Sequence, residues 1–256
     1  MQQSNLSKKM MLILSGVAIF LACLFAVQST GAYAVFFGQT VRSLPIYSVQ
    51  REDKKISITF DCAWGTEYTD KILSALQANG ATATFFMVQF WTEKYPEYVQ
   101  KISQSGCEIG THSATHSYMS KQNAEEIKKE LTDSAGAITA VTGKPVDLFR
   151  APYGDYNDLL VDTAKSLGYY TIQWDVDSLD WKDLSATDIA MRIINSVQDG
   201  SIILCHNNGL HTAEALPLIL STLQNRGYTF VTVGELIYRE NYTINAAGKQ
   251  IPNEEV

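Results

Sequence analysis

The chain has 256 residues, 46% of them hydrophobic and 18% charged, with a net charge of −7. That apolar content suffices for one sizeable core. No basic patch stands out beyond Lys8-Lys9, which argues against nucleic acid as a partner.

Residues 10–27 carry no charge, and a bilayer is spanned by about 20 apolar residues, with a lower limit near 17. Lysines ahead of the span predict a cytoplasmic N-terminus and an exported body. Residues 1–34 are therefore expected to form a membrane anchor, an N-terminal hydrophobic helix at the cell membrane with an extracytoplasmic domain behind it. The alternative is secretion, because Ala32-Tyr33-Ala34 reads as a small-x-small cleavage site. Residues 35–54 are expected to be a juxtamembrane segment. Cys23 falls in the apolar stretch, which leaves Cys62, Cys107 and Cys205. An odd number at irregular spacing is no disulfide framework. One bridge between Cys62 and Cys205 stays open, with nothing in the spacing to support it.

From Lys55 on, short apolar runs alternate with amphipathic stretches. Ile56-Ser-Ile-Thr-Phe60 alternates like a strand. A helix follows from Thr66 to about Ala78, then strand 83–88 and a helix opened by Pro96. Residues 107–110 begin a short strand, and 123–141 a longer helix. Strand 147–150, helix 157–167 and strand 169–175 come next. Ser185-Ala-Thr-Asp188 resembles a capping box opening a helix to Val197. Strand 202–205, helix 212–225, strand 228–232 and a short helix at 233–238 complete the domain, expected over 55–238. Residues 239–256 read as a polar tail. About seven strand–helix units argue for α/β with a parallel sheet. A doubly wound sheet fits nearly as well. A barrel is preferred because Asp61, His112, Arg150, Asp180 and His206 all follow strand C-termini, which a barrel gathers on one face.

His112 and His116 stand four apart, and two imidazoles at that spacing can meet one ion. Two surface histidines are the bland reading, weakened because the chain has only 4 histidines. A third ligand should be a carboxylate or thiolate, and Asp61-Cys62 offers one of each; a solvated aspartate and a buried small hydrophobe are the ordinary readings. Arg150 could hold Asp61 ionised and oriented, or be a surface arginine. Asp175, Asp177, Asp180 and Trp181 crowd one strand end. His206, ending an apolar strand, is a credible general acid. His211 is assigned nothing.

These residues resemble the polysaccharide deacetylases with a NodB homology domain, carbohydrate esterase family 4. Five motifs carry the resemblance, in order: Thr59-Phe-Asp-Cys62, His112-Ser-Ala-Thr-His116, Arg150-Ala-Pro-Tyr-Gly154, Asp177-Ser-Leu-Asp-Trp181 and Leu204-Cys-His206. The resemblance implies a distorted (β/α)7 barrel and a divalent metal, zinc first. By position it makes Asp61 the base, Arg150 its orienting partner, and His112 and His116 metal ligands. It makes the Tyr153 N–H an oxyanion donor, Asp180 the partner of the acid His206, and Trp181 and Leu204 walls of the acetyl pocket. The family's third metal ligand is a second aspartate, and here that position is Cys62. Thr59-Phe-Asp-x-x-Trp64-Gly65 with one apolar segment looks like the sporulation-associated PdaB-like branch.

The expectation is a hydrolase removing N-acetyl groups from a cell-wall glycan, probed best on peptidoglycan and chitin oligomers. Because of Cys62, a catalytically weak, membrane-anchored glycan-binding protein is the alternative. A glycosidase using Asp175, Asp177 and Asp180 ranks last, since it needs no paired histidines.

Overall fold

The computed structural model describes residues 42–253 and Val17. The expected N-terminal hydrophobic helix and its cleavage site otherwise lie outside the described residues. Among the described residues no helix is long and apolar enough to cross a membrane. The chain divides into Met1–Arg42 and Ser43–Val256, and every element below lies in the second unit.

The elements in order are β1 (Ser48–Val49), β2 (Lys55–Cys62), α1 (Thr69–Ala78), β3 (Thr84–Met87), α2 (Gln89–Lys94), α3 (Pro96–Gln104), β4 (Glu108–Thr111) and α4 (Ala124–Thr142). Then come β5 (Leu148–Phe149), α5 (Asp158–Ser166), β6 (Tyr170–Thr171), β7 (Val176–Asp177), α6 (Ala186–Ser196), β8 (Ile202–His206) and α7 (Thr212–Asn225). β9 (Thr229–Phe230), α8 (Val233–Leu236), β10 (Tyr242–Ile244) and β11 (Lys249–Pro252) finish the chain. Local chemistry sets the helix starts. Pro96 opens α3 with its fixed φ. Asn123 and Glu126 form a reciprocal capping box on α4, and Asn157 and Ser185 cap α5 and α6.

The main sheet is parallel throughout, in the order β6-β5-β4-β3-β2-β8-β7, with β9 also pairing β2. In the central strand β2, Ile56, Ile58, Phe60 and Cys62 face the core under the outer helices. Alternation turns Ser57, Thr59 and Asp61 to the other face. Both faces are buried, as a parallel sheet covered on each side requires.

β6 and β7 occupy opposite edges of this sheet yet are joined only by residues 172–175. At roughly 3.5 Å per residue that link cannot reach across an open seven-strand sheet, so the sheet must curl until its edges meet. The result is a curled parallel sheet with helices, consistent with a distorted (β/α)7 barrel. The single strand expected at 169–175 is thus two strands, split because the chain crosses the seam there. Residues 46–49 fill the seam. Ile46 bridges Ile172 and Ser48 bridges Ser201, while Ile46 N–H reaches Thr171 O at 2.9 Å and Val49 N–H reaches Gly200 O at 2.9 Å.

Gly200 has φ +79°, and a Cβ there would stand 1.8 Å from Val49 O. Gly200→Ala is expected to cost more than the roughly 1–2 kcal/mol of a left-handed L-residue alone. Urea denaturation reads this, and an unchanged midpoint would mean the seam is not closed by this contact.

Two stretches differ from expectation. Part of the 35–54 segment is knitted into the seam. Part of the 239–256 tail forms a hairpin of β10 and β11, and β11 pairs in parallel with β1. Polar composition hid it, because these strands pack at the rim and leave most side chains only half-buried. Helix α2 was not anticipated either; six residues are too few to show a helical period.

Candidate active site

Asp61 ends the inner face of β2. Arg150, just past β5, crosses the barrel to meet it: Nη1 lies 2.8 Å from Asp61 Oδ1 and 2.7 Å from Thr59 Oγ1. Nη2 donates to Gln173 O at 3.2 Å, and the guanidinium stacks 4.2 Å from the Phe86 ring centre. Arg150 is fully buried. Burial opposes the charge on Asp61, but Arg150, then His112 and His206, outweigh it and hold its pKa below the usual carboxylate value. Thr59 and Gln173 were not singled out from the sequence. Thr59 could have been, since it shares the phase of Asp61 two residues on.

His112 follows β4, and its Nδ1 lies 2.8 Å from the Arg150 carbonyl. A carbonyl only accepts, so Nδ1 carries the proton and Nε2 is turned to Asp61 Oδ2 at 3.5 Å. Burial lowers the His112 pKa against the pull of Asp61. His116 packs 5.0 Å from His112, 4.8 Å from Trp64 and 4.7 Å from Tyr153, ring centre to ring centre. Burial, then the neighbouring His112, bring its pKa down to about 4. Its buried Nδ1 has no partner among the described residues.

The loop between the histidines is strained, with φ 72° at Ser113 and 56° at His116. Glu130 of α4 holds it. Its carboxylate accepts Ala114 N–H and Thr115 N–H, both at 2.8 Å, and the Thr115 hydroxyl at 2.6 Å. Nothing in the sequence marked Glu130, one of several acids on an amphipathic helix.

Cys62 is not brought to the histidines. It lies on the opposite face of β2 from Asp61, fully buried among Phe60, Ile58 and their apolar neighbours, its sulfur 3.8 Å from Phe60 O. Burial, then Asp61, raise its pKa well above the ordinary thiol value. Among the described residues no group of three His, Cys, Asp or Glu side chains is arranged to hold a metal ion. The two imidazoles and the unpartnered His116 nitrogen would suit a cation, but the donor set stops at two. The residues present therefore do not make the three-ligand centre. Cys62, Cys107 and Cys205 are free thiols, so the Cys62–Cys205 bridge is absent. A maleimide is expected to leave Cys62 unmodified in native protein and to label it in urea. Peptide mass spectrometry checks this, and native labelling would place the sulfur in an open site.

On the other side, Asp180 is fully buried and its carboxylate is shared. Oδ1 lies 2.7 Å from His206 Nδ1, while Oδ2 accepts His206 N–H at 2.8 Å and the Thr212 hydroxyl at 2.6 Å. Burial works against charge on His206, but Asp180 outweighs it and raises the pKa. Gly209 is packed so closely that a Cβ would meet Thr212 Oγ1 at 2.1 Å. Asp61 and His206 are paired positions on β2 and β8, so the two ionic units stand side by side. Leu204, two before His206, is buried on the same face, and Trp181 is exposed beside Asp180. Tyr153 adopts φ 61°, and its N–H donates to no acceptor among the described residues. Asp175 is absorbed in the fold, accepting Ser201 Oγ and Ile202 N–H at 2.8 Å each. Asp177 accepts Leu179 N–H at 2.8 Å in a turn. The carboxylates a glycosidase would need are therefore committed elsewhere.

The family model described as polysaccharide deacetylase matches residues 48–172. A peptidoglycan-N-acetylglucosamine deacetylase of Bacillus cereus is 35% identical over 75% of this chain and 92% of its own length. The peptidoglycan-N-acetylmuramic acid deacetylase PdaA of Bacillus subtilis is 30% identical, covering 76% of this chain and 75% of its own. Among solved structures, a carbohydrate esterase family 4 pseudoenzyme from Bacillus anthracis superposes with a TM-score of 0.74 at 31% identity, over 77% of this chain and 70% of that one. A variant of a protein of the same designation, described as having restored enzymatic activity, matches with the same TM-score. With the five motifs gathered at one end of a curled parallel sheet, the chain belongs to the polysaccharide deacetylase family, carbohydrate esterase family 4.

Proposed function

We propose that this chain hydrolyses N-acetyl groups on peptidoglycan. The observation that carries the reading is the pair of units at one mouth: a carboxylate whose ionised form Arg150 favours beside an imidazole whose protonated form Asp180 favours. Environments that push two pKa values apart supply a base and an acid together. Asp61 receives the proton of the attacking water. The Tyr153 N–H faces the oxyanion of the tetrahedral intermediate. His206, fixed through Nδ1, protonates the departing amine from Nε2, leaving a free amine on the sugar and acetate. A zinc or other divalent ion at His112 and His116 enters no step here, because the third ligand is missing. The expected membrane anchorage facing the wall, and the spore setting, belong to the same proposal and rest on sequence alone.

Acetate release from peptidoglycan fragments by the full chain tests it. Asp61→Asn and His206→Gln should each lower the rate by about 10²–10⁴-fold; an unchanged rate in either sinks the assignment. The position of Cys62 favours a second reading, a glycan binder of weak activity. Glycan binding without acetate release, in protein holding no stoichiometric divalent metal, would select it.

A further inference from the structure

Four large aromatic side chains stand about half exposed around the mouth: Trp64, Tyr118, Tyr153 and Trp181. Tyr and Trp, with an apolar body and a polar tip, are enriched at binding interfaces. The four form two groups. On the His116 side, Tyr153 packs its edge against the imidazole, and Tyr118 lies flat on Tyr153 with centres 4.3 Å apart and planes 16° apart. On the His206 side, Trp181 follows directly on Asp180. Each group carries an ammonium: Lys121 Nζ sits 4.9 Å from the Tyr118 ring centre and Lys182 Nζ 4.9 Å from that of Trp181. Neither lysine is ion-paired with a carboxylate among the described residues. Tyr118, Lys121 and Lys182 lie outside the reaction machinery, so the chemistry above gives no reason for them.

We infer that these two aromatic–lysine pairs are flanking subsites for a carboxylate-bearing glycan strand, peptidoglycan with its stem peptides attached. The inference rests on the deacetylase reading for where the reacting sugar sits. An aromatic face takes the C–H face of a pyranose, and an ammonium at its edge takes an anion hanging from that sugar. A neutral polymer would use the rings and leave both lysines idle. The chain is acidic overall at −7; Asp183 follows Lys182 in sequence, and Asp155 accepts the N–H of Ser120, the residue before Lys121, at 3.3 Å. The contacts are therefore local ammonium–carboxylate pairs, not a positive field. Subsites on both sides of the centre also require a polymer in preference to a single sugar.

Calorimetric titration of the full chain in non-ionic detergent decides the matter. The ligands are a peptidoglycan tetrasaccharide with stem peptides and neutral chitotetraose. The anionic ligand should bind roughly three- to tenfold more tightly at low salt, as expected for two exposed ion pairs, and the margin should shrink as salt rises. The Lys121→Ala/Lys182→Ala variant should lose that preference while its affinity for chitotetraose stays the same. Tyr118→Ala should weaken both ligands, and Tyr118→Phe should restore them. Equal affinities in the wild type, or a preference surviving in the double lysine variant, overturn the inference. Binding is read without turnover, so a chain that releases no acetate leaves the subsite result standing.

Discussion

Arg150→Met should be the most damaging single change in the barrel, lowering stability by about 3–5 kcal/mol at neutral pH. Arg150 is the cation facing Asp61 in a wholly buried setting. Without it the carboxylate keeps the cost of burial and loses its compensation. In the wild type the Asp61 pKa is lowered, so this contribution is present above the unfolded value of about 3.9 and is lost as pH falls through the folded value. In the variant the sign should reverse: with Arg150, the largest opposing influence, removed, burial should outweigh His112 and His206 and raise the Asp61 pKa, and the protein should become more stable as pH falls from 7 towards 5. Asp61→Asn/Arg150→Met should recover much of the loss, because no buried charge remains. Urea unfolding at both pH values measures all three proteins. A single variant no less stable at pH 7 than at pH 5 would show that Arg150 does not compensate a buried charge.

Asp180→Asn should lower turnover as far as loss of the acid itself while leaving the barrel folded, a fall of about 10²–10⁴-fold in acetate release. Asp180 fixes which His206 nitrogen carries the proton, and it raises the His206 pKa against burial. The stability effect has its own pH window. A raised histidine pKa contributes fully below the unfolded value of about 6.5 and fades as pH rises through the folded value; the lowered Asp180 pKa contributes above about 3.9. The deficit of the variant should therefore be greatest between about pH 4 and 6.5 and shrink by pH 9. A deficit that grows with pH would contradict the pairing.

The residues at strand ends were legible because position and chemistry coincide there. Asp61, Arg150 and His206 each close an apolar run and His112 follows a short strand, and a curled parallel sheet puts such positions on one face. The direction of Cys62 was legible too: the alternation of Ile56, Ile58 and Phe60 continues onto it and away from Asp61. Glu130 and Thr212 were not legible. Glu130 acts on the loop leading into its own helix and Thr212 on a carboxylate of an earlier strand end, and a helix pattern does not tell one acid or hydroxyl from the next. The break between β6 and β7 was hidden for a related reason, since adjacent residues there serve opposite edges of one sheet.

The seam has a consequence in time. Its filling strand β1 is held on one side by β11, and the pairing of Ser48 with Lys249 joins positions roughly 200 residues apart. Closing so long a loop comes late in folding. The sheet can form from neighbouring strand–helix units while its edges are still open. Only when the last hairpin docks does the strap lock, and until then residues 172–175, with Gln173 and its hold on Arg150, have no fixed wall behind them. The Asp61 carboxylate should thus acquire its final geometry among the last events of folding, set by β1 and β11 and not by the strand that carries it.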